Sequence, residues 1–402
     1  MTTIQFLPPS LDFVNKLVEV VWDHLTLPVV LALVAGILIV DICGLYILLL
    51  LVTHTPRPET ESEKEYITVT SDGTKKGGIK LPDMLDENVF PEVLMSVVVP
   101  AYNEALRIEM MLDEAVEFLN SEFPRDGEKK KLGNGTANGG VNGSAHGVED
   151  WGRRKGWEII IVDDGSKDAT TDVVVEWMRK RVKKGEVKEG DLRIVHLERN
   201  RGKGGAVAHG MRHIRGQYAV FADADGATKF SDLRTLLSRL QAIESTRVSP
   251  TTPPYDEHHG IAVGSRAHMV NSSAVVARSW YRNLLMYGFH TFLHVIGIQK
   301  IKDTQCGFKL FTRDTARLVF WESHCEGWIF DIECLLVAEE ERVGVEEVSV
   351  TWHEVEGTKM NLVWDSVRMA WDLVVLRAAY GIGVYGGIRR AWRKGNGKAR
   401  QM

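Results

Sequence analysis

The strongest structural signal in the sequence lies in QYAVFADADGATKF, residues 217–230, where an apolar run ends in two carboxylates one residue apart. In a β-strand, alternate side chains point to the same face, so Asp223 and Asp225 would lie together at the end of a buried segment. Two neighbouring carboxylates repel each other and resist removal from water unless a positive charge accompanies them. The stretch therefore predicts a strand whose carboxyl end holds a cation.

Four more apolar runs have the composition of buried strands: VLMSVVVP (93–100), WEIIIVDDGS (157–166), LRIVHLE (192–198) and IAVGSR (261–266). Helical patterns follow the first three, in ALRIEMMLDEAVEFL (105–119), TTDVVVEWMRKRV (170–182) and KGGAVAHGMRHI (203–214). Strands that alternate with helices predict an α/β fold with a mostly parallel sheet that helices cover on both faces. Ligands of such sheets bind at the carboxyl ends of the strands.

Composition and charge exclude one broad class of protein. The 402 residues are 44% hydrophobic and 26% charged, which is ordinary for a globular chain with ample apolar material for a core. A formal net charge of −5 argues against a nucleic-acid-binding protein, because neutralising phosphates needs a basic surface. The four cysteines form no CxxC pair, which favours a reducing compartment.

One segment near the N-terminus is apolar enough to anchor the chain in a membrane. Residues 28–52 match the length of a helix that crosses a bilayer, and Asp41 is their single charge. A cleaved signal peptide and a buried core helix are the alternatives. Lys16 precedes the segment whereas Arg57 and Lys64 follow it, so the positive-inside rule favours a cytosolic position for the rest of the chain.

The patterns divide the chain into an N-terminal flank (1–27), the anchor (28–52), a linker (53–91), the main α/β domain (92–358) and a C-terminal region (359–402). The linker is rich in Pro, Thr, Glu, Lys and Gly. Within the main domain, residues 122–156 are dominated by Gly, Asn and Lys and are predicted to be a disordered insertion. Asn134 and Asn142 head glycosylation sequons there, which a cytosolic position would leave unmodified.

The C-terminal part of the chain indicates contact with a lipid surface. Residues 279–298 are apolar on nearly all sides, and residues 361–380 place Trp364 and Trp371 beside a narrow polar stripe. The stripe consists of Asn361, Asp365, Arg368 and Asp372. The tail after Asp372 carries Lys and Arg but no acidic residue, as expected next to anionic lipid. Buried core helices are the alternative.

Polar motifs follow the predicted strands: PAYNE (100–104), VDDGSKD (162–168), NRGKGGA (200–206), DADG (223–226) and GSR (264–266). Carboxylates are hard oxygen ligands, so the Asp223 and Asp225 pair is suited to Mg²⁺ or Mn²⁺ that also contacts substrate phosphates. The glycines and cations that open the helix after residue 202, together with Arg266, suit a diphosphate. No GxxxxGK[ST] pattern is present, so an NTPase is not indicated.

In this order the motifs resemble those of the family 2 glycosyltransferases, which have the GT-A fold. The stretches KDTQCGFKLF (302–311) and EGTKMN (356–361) are similar to segments of the dolichyl-phosphate sugar transferases, most closely those that transfer glucose. The resemblance runs from about residue 93 to residue 380 and includes an N-terminal anchor. It implies an enzyme of the endoplasmic reticulum membrane that moves glucose from UDP-glucose to dolichyl phosphate with inversion, for protein N-glycosylation.

The resemblance also implies roles for single residues. Those expected to bind the nucleoside are Pro100, Tyr102, Glu104, Val162 and Asp164. Asp223 and Asp225 would hold the metal and diphosphate, with the backbone of Ala224, while Lys203 and Arg266 would face phosphate or sugar. Asp303 stands where a base or an acceptor-positioning group is expected, and Lys309 and Lys359 are candidates for the acceptor phosphate. Related mannosyl transferases have a glutamine where this chain has Ala227, which leaves the third metal contact open.

Other functions stay open at this point. Transfer of mannose or N-acetylglucosamine to a polyprenyl phosphate is the nearest alternative, because residues alone do not define the sugar. A processive polysaccharide synthase is disfavoured by the absence of a QxxRW motif. DADGAT is also similar to the DxDGT signature of haloacid-dehalogenase-type phosphatases, although Ala227 stands where threonine would follow the glycine. An inactive nucleotide-sugar-binding module is a further alternative.

Overall fold

The structure is a computed structural model that describes residues 16, 27–84, 86, 90–125, 155–247, 259–269, 301–355 and 362–386. The helices are Leu27–Val52 (α1), Ile108–Glu122 (α2), Thr170–Lys183 (α3), Lys203–Arg212 (α4), Leu233–Arg247 (α5), Arg313–Phe320 (α6), Phe330–Glu340 (α7) and Leu362–Ile382 (α8). The strands are Glu65–Val69 (β1), Lys75–Lys80 (β2), Val93–Ala101 (β3), Trp157–Asp163 (β4), Leu192–His196 (β5), Gly216–Ala222 (β6), Gly260–Ser265 (β7), Phe308–Thr312 (β8) and Gly344–Ser349 (β9). Each strand and helix predicted within these ranges is present.

Across the described ranges, the strands join one nine-stranded sheet in the order β2-β1-β5-β4-β3-β6-β8-β7-β9. Strands β5, β4, β3 and β6 are mutually parallel, and β9 is parallel to β7. Strand β8 runs antiparallel to both of its neighbours, β6 and β7. The prediction of an α/β fold with a mostly parallel sheet is confirmed. Because β8 is reversed, its amino end lies at the edge where the parallel strands end.

The central strands are buried on both faces, which explains their unbroken apolar runs. Val97 and Ile159 are fully buried in the core on one face of the sheet, together with side chains of α2 and α3. On the other face α4 lies close to the sheet, since a Cβ at Gly210 would be 2.5 Å from Val98 Cγ1. Helix α4 is therefore fixed against the strands whose ends carry the polar motifs.

The interpretation of residues 53–91 as a linker requires correction. Strands β1 and β2 lie in this segment as an antiparallel hairpin, and β1 pairs with β5. Strand β2, with the sequence KKGGIK, is mostly exposed at the end of the sheet. An edge strand of this kind needs no apolar alternation and is often rich in lysine, so composition alone hides it.

The chain divides into two compact units, one of residues 1–53 with 378–385 and the other of residues 54–377 with 386–402. In the first unit, α1 is a helix of 26 residues. Among the described residues, it is the one helix that is long and apolar enough to cross a membrane. Leu49 is the one side chain of α1 that is buried, whereas a core helix would bury most of its apolar side chains. This pattern argues against the core-helix alternative.

Helix α8 has an apolar exposed face, and part of its polar stripe is buried. Asp372 is 8% exposed, and its Oδ1 lies 3.1 Å from His54 Nε2. Four exposed apolar side chains recur on the helix at spacings of three and four, namely Trp364, Val367, Trp371 and Val374. The predictions for residues 279–298, the basic tail from residue 387 and the insertion from 126 to 154 lie outside the described residues.

A buried ion pair joins the amino ends of the central strands. Glu158 is fully buried in β4 and forms ion pairs with Arg193 of β5 and Arg215, whose Nε lies 2.7 Å from Glu158 Oε2. Ser96 of β3 donates a 2.6 Å hydrogen bond to the other carboxylate oxygen. Burial alone would raise the pKa of Glu158, but the two guanidinium groups and Ser96 outweigh it and hold the pKa below its usual value. The group is therefore ionised.

We expect Glu158→Gln to lower the free energy of unfolding by about 3–5 kcal/mol, because it leaves the buried Arg193 without its counter-charge. Urea unfolding of the purified full-length protein in detergent, followed by tryptophan fluorescence, measures the change. The control is Glu176→Gln, since Glu176 forms a 3.4 Å ion pair with Arg179 at the surface. Exposed pairs of that kind contribute less than about 1 kcal/mol. Equal stability of the two variants would contradict the expectation.

Candidate active site

The polar motifs meet at one edge of the sheet. Strands β3, β4, β6 and β7 end there, and the reversed strand β8 begins there. The backbone N–H of Asp223 donates a 3.2 Å hydrogen bond to the carbonyl of Gly307, which joins the end of β6 to the start of β8. The segments DADG and DTQCG, remote in the sequence, are therefore neighbours.

The Asp223 and Asp225 loop is held by its own turn and by a neighbouring segment. Asp225 Oδ1 accepts a 3.0 Å hydrogen bond from the backbone N–H of Ala227, and Gly226 between them has a φ of +69°. The carbonyl of Ala227 accepts a 2.9 Å bond from the backbone N–H of His353. Both carboxylates lie partly exposed on a loop whose backbone is fixed, as ligand groups require.

Lys203, the first residue of α4, supplies a positive charge beside the two aspartates, as the sequence predicted. Its Nζ lies 2.6 Å from Asp223 Oδ1. Burial would lower the pKa of Lys203, but the carboxylates of Asp223 and Asp331 outweigh it and raise the pKa. Lys203 is therefore a permanent positive charge beside the acidic pair.

The charges continue into the protein in alternating sign. Asp331, in the first turn of α7, interacts with Lys203 and forms an ion pair with Lys309 of β8. Lys309 is fully buried, and its Nζ also donates a 2.7 Å hydrogen bond to the Cys306 carbonyl. The position expected to bind the acceptor phosphate thus lies in a buried ion pair, and its observed contact is with Asp331. This series, Asp223, Lys203, Asp331 and Lys309, is called the charge row below.

Asp223 and Asp225 fit a divalent metal ion. Both offer carboxylate oxygens, the hard ligands that Mg²⁺ and Mn²⁺ prefer. Gly307 leaves the space that the Asp223 carboxylate occupies, because a Cβ at residue 307 would lie 2.0 Å from Asp223 Oδ2. Any side chain at residue 307 would therefore displace the Asp223 carboxylate.

Arg266 and Asp303 form a bidentate ion pair at the same edge. Arg266 Nε donates to Asp303 Oδ2 at 2.7 Å, and Nη2 donates to Oδ1 at 2.9 Å. The guanidinium carbon also lies 5.6 Å from the ring centre of Trp352. Burial would raise the pKa of Asp303, but the hydrogen bonds and charge of Arg266 outweigh it and lower the pKa. Asp303 therefore orients Arg266, and a carboxylate held this way is a poor proton acceptor.

Asp164 holds the loop before α4. Its two carboxylate oxygens accept hydrogen bonds from the backbone N–H groups of Arg201 and Gly202, at 2.6 and 2.9 Å. Burial raises the pKa of Asp164 to about 7, although these two donors act in the opposite direction. These contacts fix the residues that precede Lys203, and the expected contact of Asp164 with the nucleoside stays a prediction.

The glycines of NRGKGGA serve close packing of α4. A Cβ at Gly202 would lie 2.6 Å from the Glu326 carbonyl oxygen, and one at Gly204 would lie 2.5 Å from that of Cys325. Gly202 also has a φ of +89°. The space beside these glycines is thus filled by the segment before α7, and a contact of this turn with a diphosphate stays a prediction. The close approach brings Lys203 within reach of Asp331.

The PAYNE loop is joined to the loop after β4. Asn103, with a φ of +54°, accepts a 2.7 Å hydrogen bond from the backbone N–H of Lys167. The Glu104 carboxylate accepts two bonds from Arg107, at 2.8 and 2.9 Å. Pro100 lies buried in β3, Val162 lies buried in β4, and Tyr102 is half-buried after β3. Roles of these residues in nucleoside binding stay predictions.

Sequence reasoning missed Asp331 and Gly307. The available signal for Asp331 was two acids in the first turn of a segment, FDIECLLVA, that is otherwise apolar. Gly307 carried no local signal, because its requirement comes from Asp223 on another strand. Lys359, proposed for the acceptor phosphate, lies outside the described residues.

Comparison with known proteins gives one family and a consistent group of relatives. Residues 145–316 match the family described as Glycosyl transferase family 2. The dolichyl-phosphate beta-glucosyltransferase of Saccharomyces cerevisiae is 43% identical over 87% of this chain and 93% of its own length. The protein of that name from Dictyostelium discoideum is 37% identical, over 87% of this chain and 92% of its own length. The protein of that name from Homo sapiens is 36% identical, over 80% of this chain and 85% of its own length.

Among solved structures, the glucosyl-3-phosphoglycerate synthase of Mycobacterium tuberculosis in complex with UDP aligns with a TM-score of 0.43 and 16% identity. The alignment covers 71% of this chain and 80% of that chain.

We expect Gly307→Ala to weaken Mn²⁺ binding about 10- to 100-fold, because the added methyl group displaces the Asp223 carboxylate. Titration of the purified protein with Mn²⁺, followed by electron paramagnetic resonance of the free ion, measures the affinity. Gly327→Ala is the matched control, since a Cβ at Gly327 meets nothing within 4 Å. The same Mn²⁺ affinity in both variants would remove Gly307 and Asp223 from the metal site.

Proposed function

The chain belongs to the dolichyl-phosphate beta-glucosyltransferases, family 2 glycosyltransferases with the GT-A fold, and we propose that it transfers glucose from UDP-glucose to dolichyl phosphate with inversion. Glucosyl transfer to dolichyl phosphate is the reaction of its family. The observation that carries the choice of a nucleotide diphosphate donor is the 2.6 Å contact of Lys203 with Asp223 beside Asp225. Carboxylates suited to a metal ion and a cation suited to a diphosphate thus lie at one sheet edge, which supports the proposal.

The leaving group of this reaction is a diphosphate that gains negative charge as the glucosyl bond breaks. When bound by Asp223 and Asp225, Mg²⁺ or Mn²⁺ would act as a Lewis acid for that charge. Lys203 and Arg266 supply two more positive charges at the same edge, and both are held by carboxylates. Side chains oriented before the substrate binds stabilise developing charge without a reorganisation cost.

The acceptor does not need a strong general base. A phosphate monoester has a second pKa of about 6 and is largely dianionic at neutral pH, so its oxygen can attack directly. Attack on the face opposite to UDP inverts the α-linked donor to a β-linked product. Asp303 fits this scheme as a positioning residue for Arg266, because both of its carboxylate oxygens accept hydrogen bonds from that side chain.

The polyisoprenoid acceptor requires contact with a membrane. Helix α1 has the length and composition of an anchor, and α8 exposes Trp364 and Trp371 at 74% and 56%. Tryptophan side chains favour the interface between lipid and water. We place the protein in the endoplasmic reticulum membrane with the sheet in the cytosol, where its product would serve protein N-glycosylation. The excess of Lys and Arg after α1 supports this orientation.

We expect the purified full-length protein, in vesicles that contain dolichyl phosphate and Mg²⁺ or Mn²⁺, to transfer sugar from UDP-glucose in preference to GDP-mannose and UDP-N-acetylglucosamine. Radiolabelled donors measure the transfer. Asp225→Asn should lower kcat/KM by about 10²- to 10³-fold, because a metal ligand is lost. Asp172→Asn, at an exposed position of α3, should not change it.

Equal transfer from GDP-mannose would overturn the donor assignment and favour the mannosyltransferase alternative. Full activity of Asp225→Asn would overturn the role of the acidic pair.

A second prediction separates positioning from base catalysis at Asp303. We expect Asp303→Asn and Arg266→Gln each to lower kcat/KM by about 10- to 100-fold, and the double variant to be no worse than either, because the two side chains act as one unit. The fall in rate below about pH 6, caused by protonation of the acceptor phosphate, should persist in Asp303→Asn. Loss of that acidic limb in Asp303→Asn alone would identify Asp303 as the base.

A further inference from the structure

A second cluster of metal-ligating side chains lies at the other end of α4. It consists of His209, His213 and Glu59, whose ligand atoms all lie within 4.8 Å of one another. His209 belongs to the last turn of α4 and His213 follows that helix directly, so the spacing of four places both rings on one side. Glu59 comes from the segment between α1 and β1.

Hydrogen bonds to the backbone fix the tautomer of both rings. His209 Nε2 lies 2.9 Å from the carbonyl oxygen of Glu63, and His213 Nδ1 lies 2.8 Å from that of Pro82. A carbonyl oxygen only accepts, so these two nitrogens carry hydrogen. In a neutral ring the other nitrogen, Nδ1 of His209 and Nε2 of His213, then has a free lone pair. Histidine ligands of metal ions have this arrangement, with the second nitrogen bonded to a carbonyl or carboxylate.

The two lone-pair nitrogens are buried without a hydrogen-bond donor. His209 and His213 are 2% and 8% exposed, and within the described part of the chain neither nitrogen has a hydrogen-bond partner. His209 Nδ1 lies 3.2 Å from Glu59 Oε1, which is also an acceptor. Two buried nitrogen lone pairs without a donor, beside a carboxylate, favour a cation at that place.

We propose that Glu59, His209 and His213 bind a Zn²⁺ ion. Two imidazole nitrogens and one carboxylate oxygen are a common ligand set for zinc, with a fourth position for water. Ligands of a tetrahedral zinc ion lie about 3.3 Å apart, given bonds of about 2.0 Å. The contact of His209 with Glu59 already has that spacing, and the third ligand, from His213, lies within 4.8 Å of the other two.

A proton at this cluster explains less than a metal ion does. Protonated His209 would donate from Nδ1 to Glu59, but Nε2 of His213 would stay buried without a partner. A metal ion satisfies all three ligands. Arg212 is also present, with Nη1 3.2 Å from Glu59 Oε1 and Nε donating to the Phe320 carbonyl at 3.0 Å. It donates to Oε1, the oxygen that also lies beside His209, and a carboxylate oxygen has a second lone pair for a metal ion.

The zinc ion would have a structural role that differs from that of the metal at the sheet edge. It joins the segment that follows α1 in the chain to the C-terminal end of α4, whose first residue is Lys203. The nitrogen ligands select borderline ions such as Zn²⁺, whereas Asp223 and Asp225 offer only oxygen. The two sites are therefore distinguishable by metal.

The test is the zinc content of the purified full-length protein after incubation with equimolar Zn²⁺ and desalting, measured by mass spectrometry of the metal. We expect about one zinc per chain, lost in His209→Gln and His213→Ala. His268→Ala, at an exposed histidine, and Asp225→Asn, at the sheet edge, should retain it. Zinc X-ray absorption of the unsubstituted protein should show nitrogen and oxygen neighbours at about 2.0 Å without sulfur.

Retention of zinc in both histidine variants, or no zinc in the unsubstituted protein, would overturn the proposal. If a histidine variant fails to fold, the absorption spectrum of the unsubstituted protein decides, because an oxygen-only environment would place the zinc at the sheet edge.

Discussion

The ion pair between Lys203 and Asp223 is the constraint around which the site is built. Two acids at the end of a buried strand need a positive charge, and α4 delivers it at 2.6 Å from its first residue. Asp331 and Lys309 continue the charge row into the protein, so each buried charge has a neighbour of opposite sign. The position of α4 therefore determines whether the acidic pair can exist in that place.

Several features of the fold serve that position. Gly210 allows α4 to lie close to the sheet, and Gly202 and Gly204 allow its first turn to approach the segment before α7. Asp164 fixes the loop that leads into the helix. The proposed zinc ion would fix its other end. These contacts are structural, yet each bears on the position of Lys203, the charge that we propose faces the substrate diphosphate.

The acidic residues at the sheet edge therefore fall into two groups, those that can contact a ligand and those that hold other protein groups in place. Asp223 and Asp225 stay partly exposed and can reach a ligand. Asp164 and Asp303 have carboxylates that accept hydrogen bonds from protein groups, and these contacts hold the loop before α4 and the Arg266 side chain in place. A sequence motif does not distinguish ligand-binding carboxylates from structural ones, because both roles need an acidic residue after a strand.

The sequence by itself determined the alternation of strands β3 to β6 with helices α2 to α4, the strand β7, the apolar helix α1, the sheet edge where the polar motifs lie and the need for a positive charge beside Asp223. Periodicity reports burial along one element, and these features belong to single elements. Only the tertiary structure decided the hairpin of β1 and β2, the reversal of β8 that sets Gly307 against Asp223, and the pairing of Lys309 with Asp331. It also decided the meeting of Glu59 with His209 and His213. The hairpin enters the sheet through the pairing of β1 with β5. This pairing and the other contacts join segments that are separated in the chain, and packing between elements, which leaves no periodic trace in either partner, brings them together.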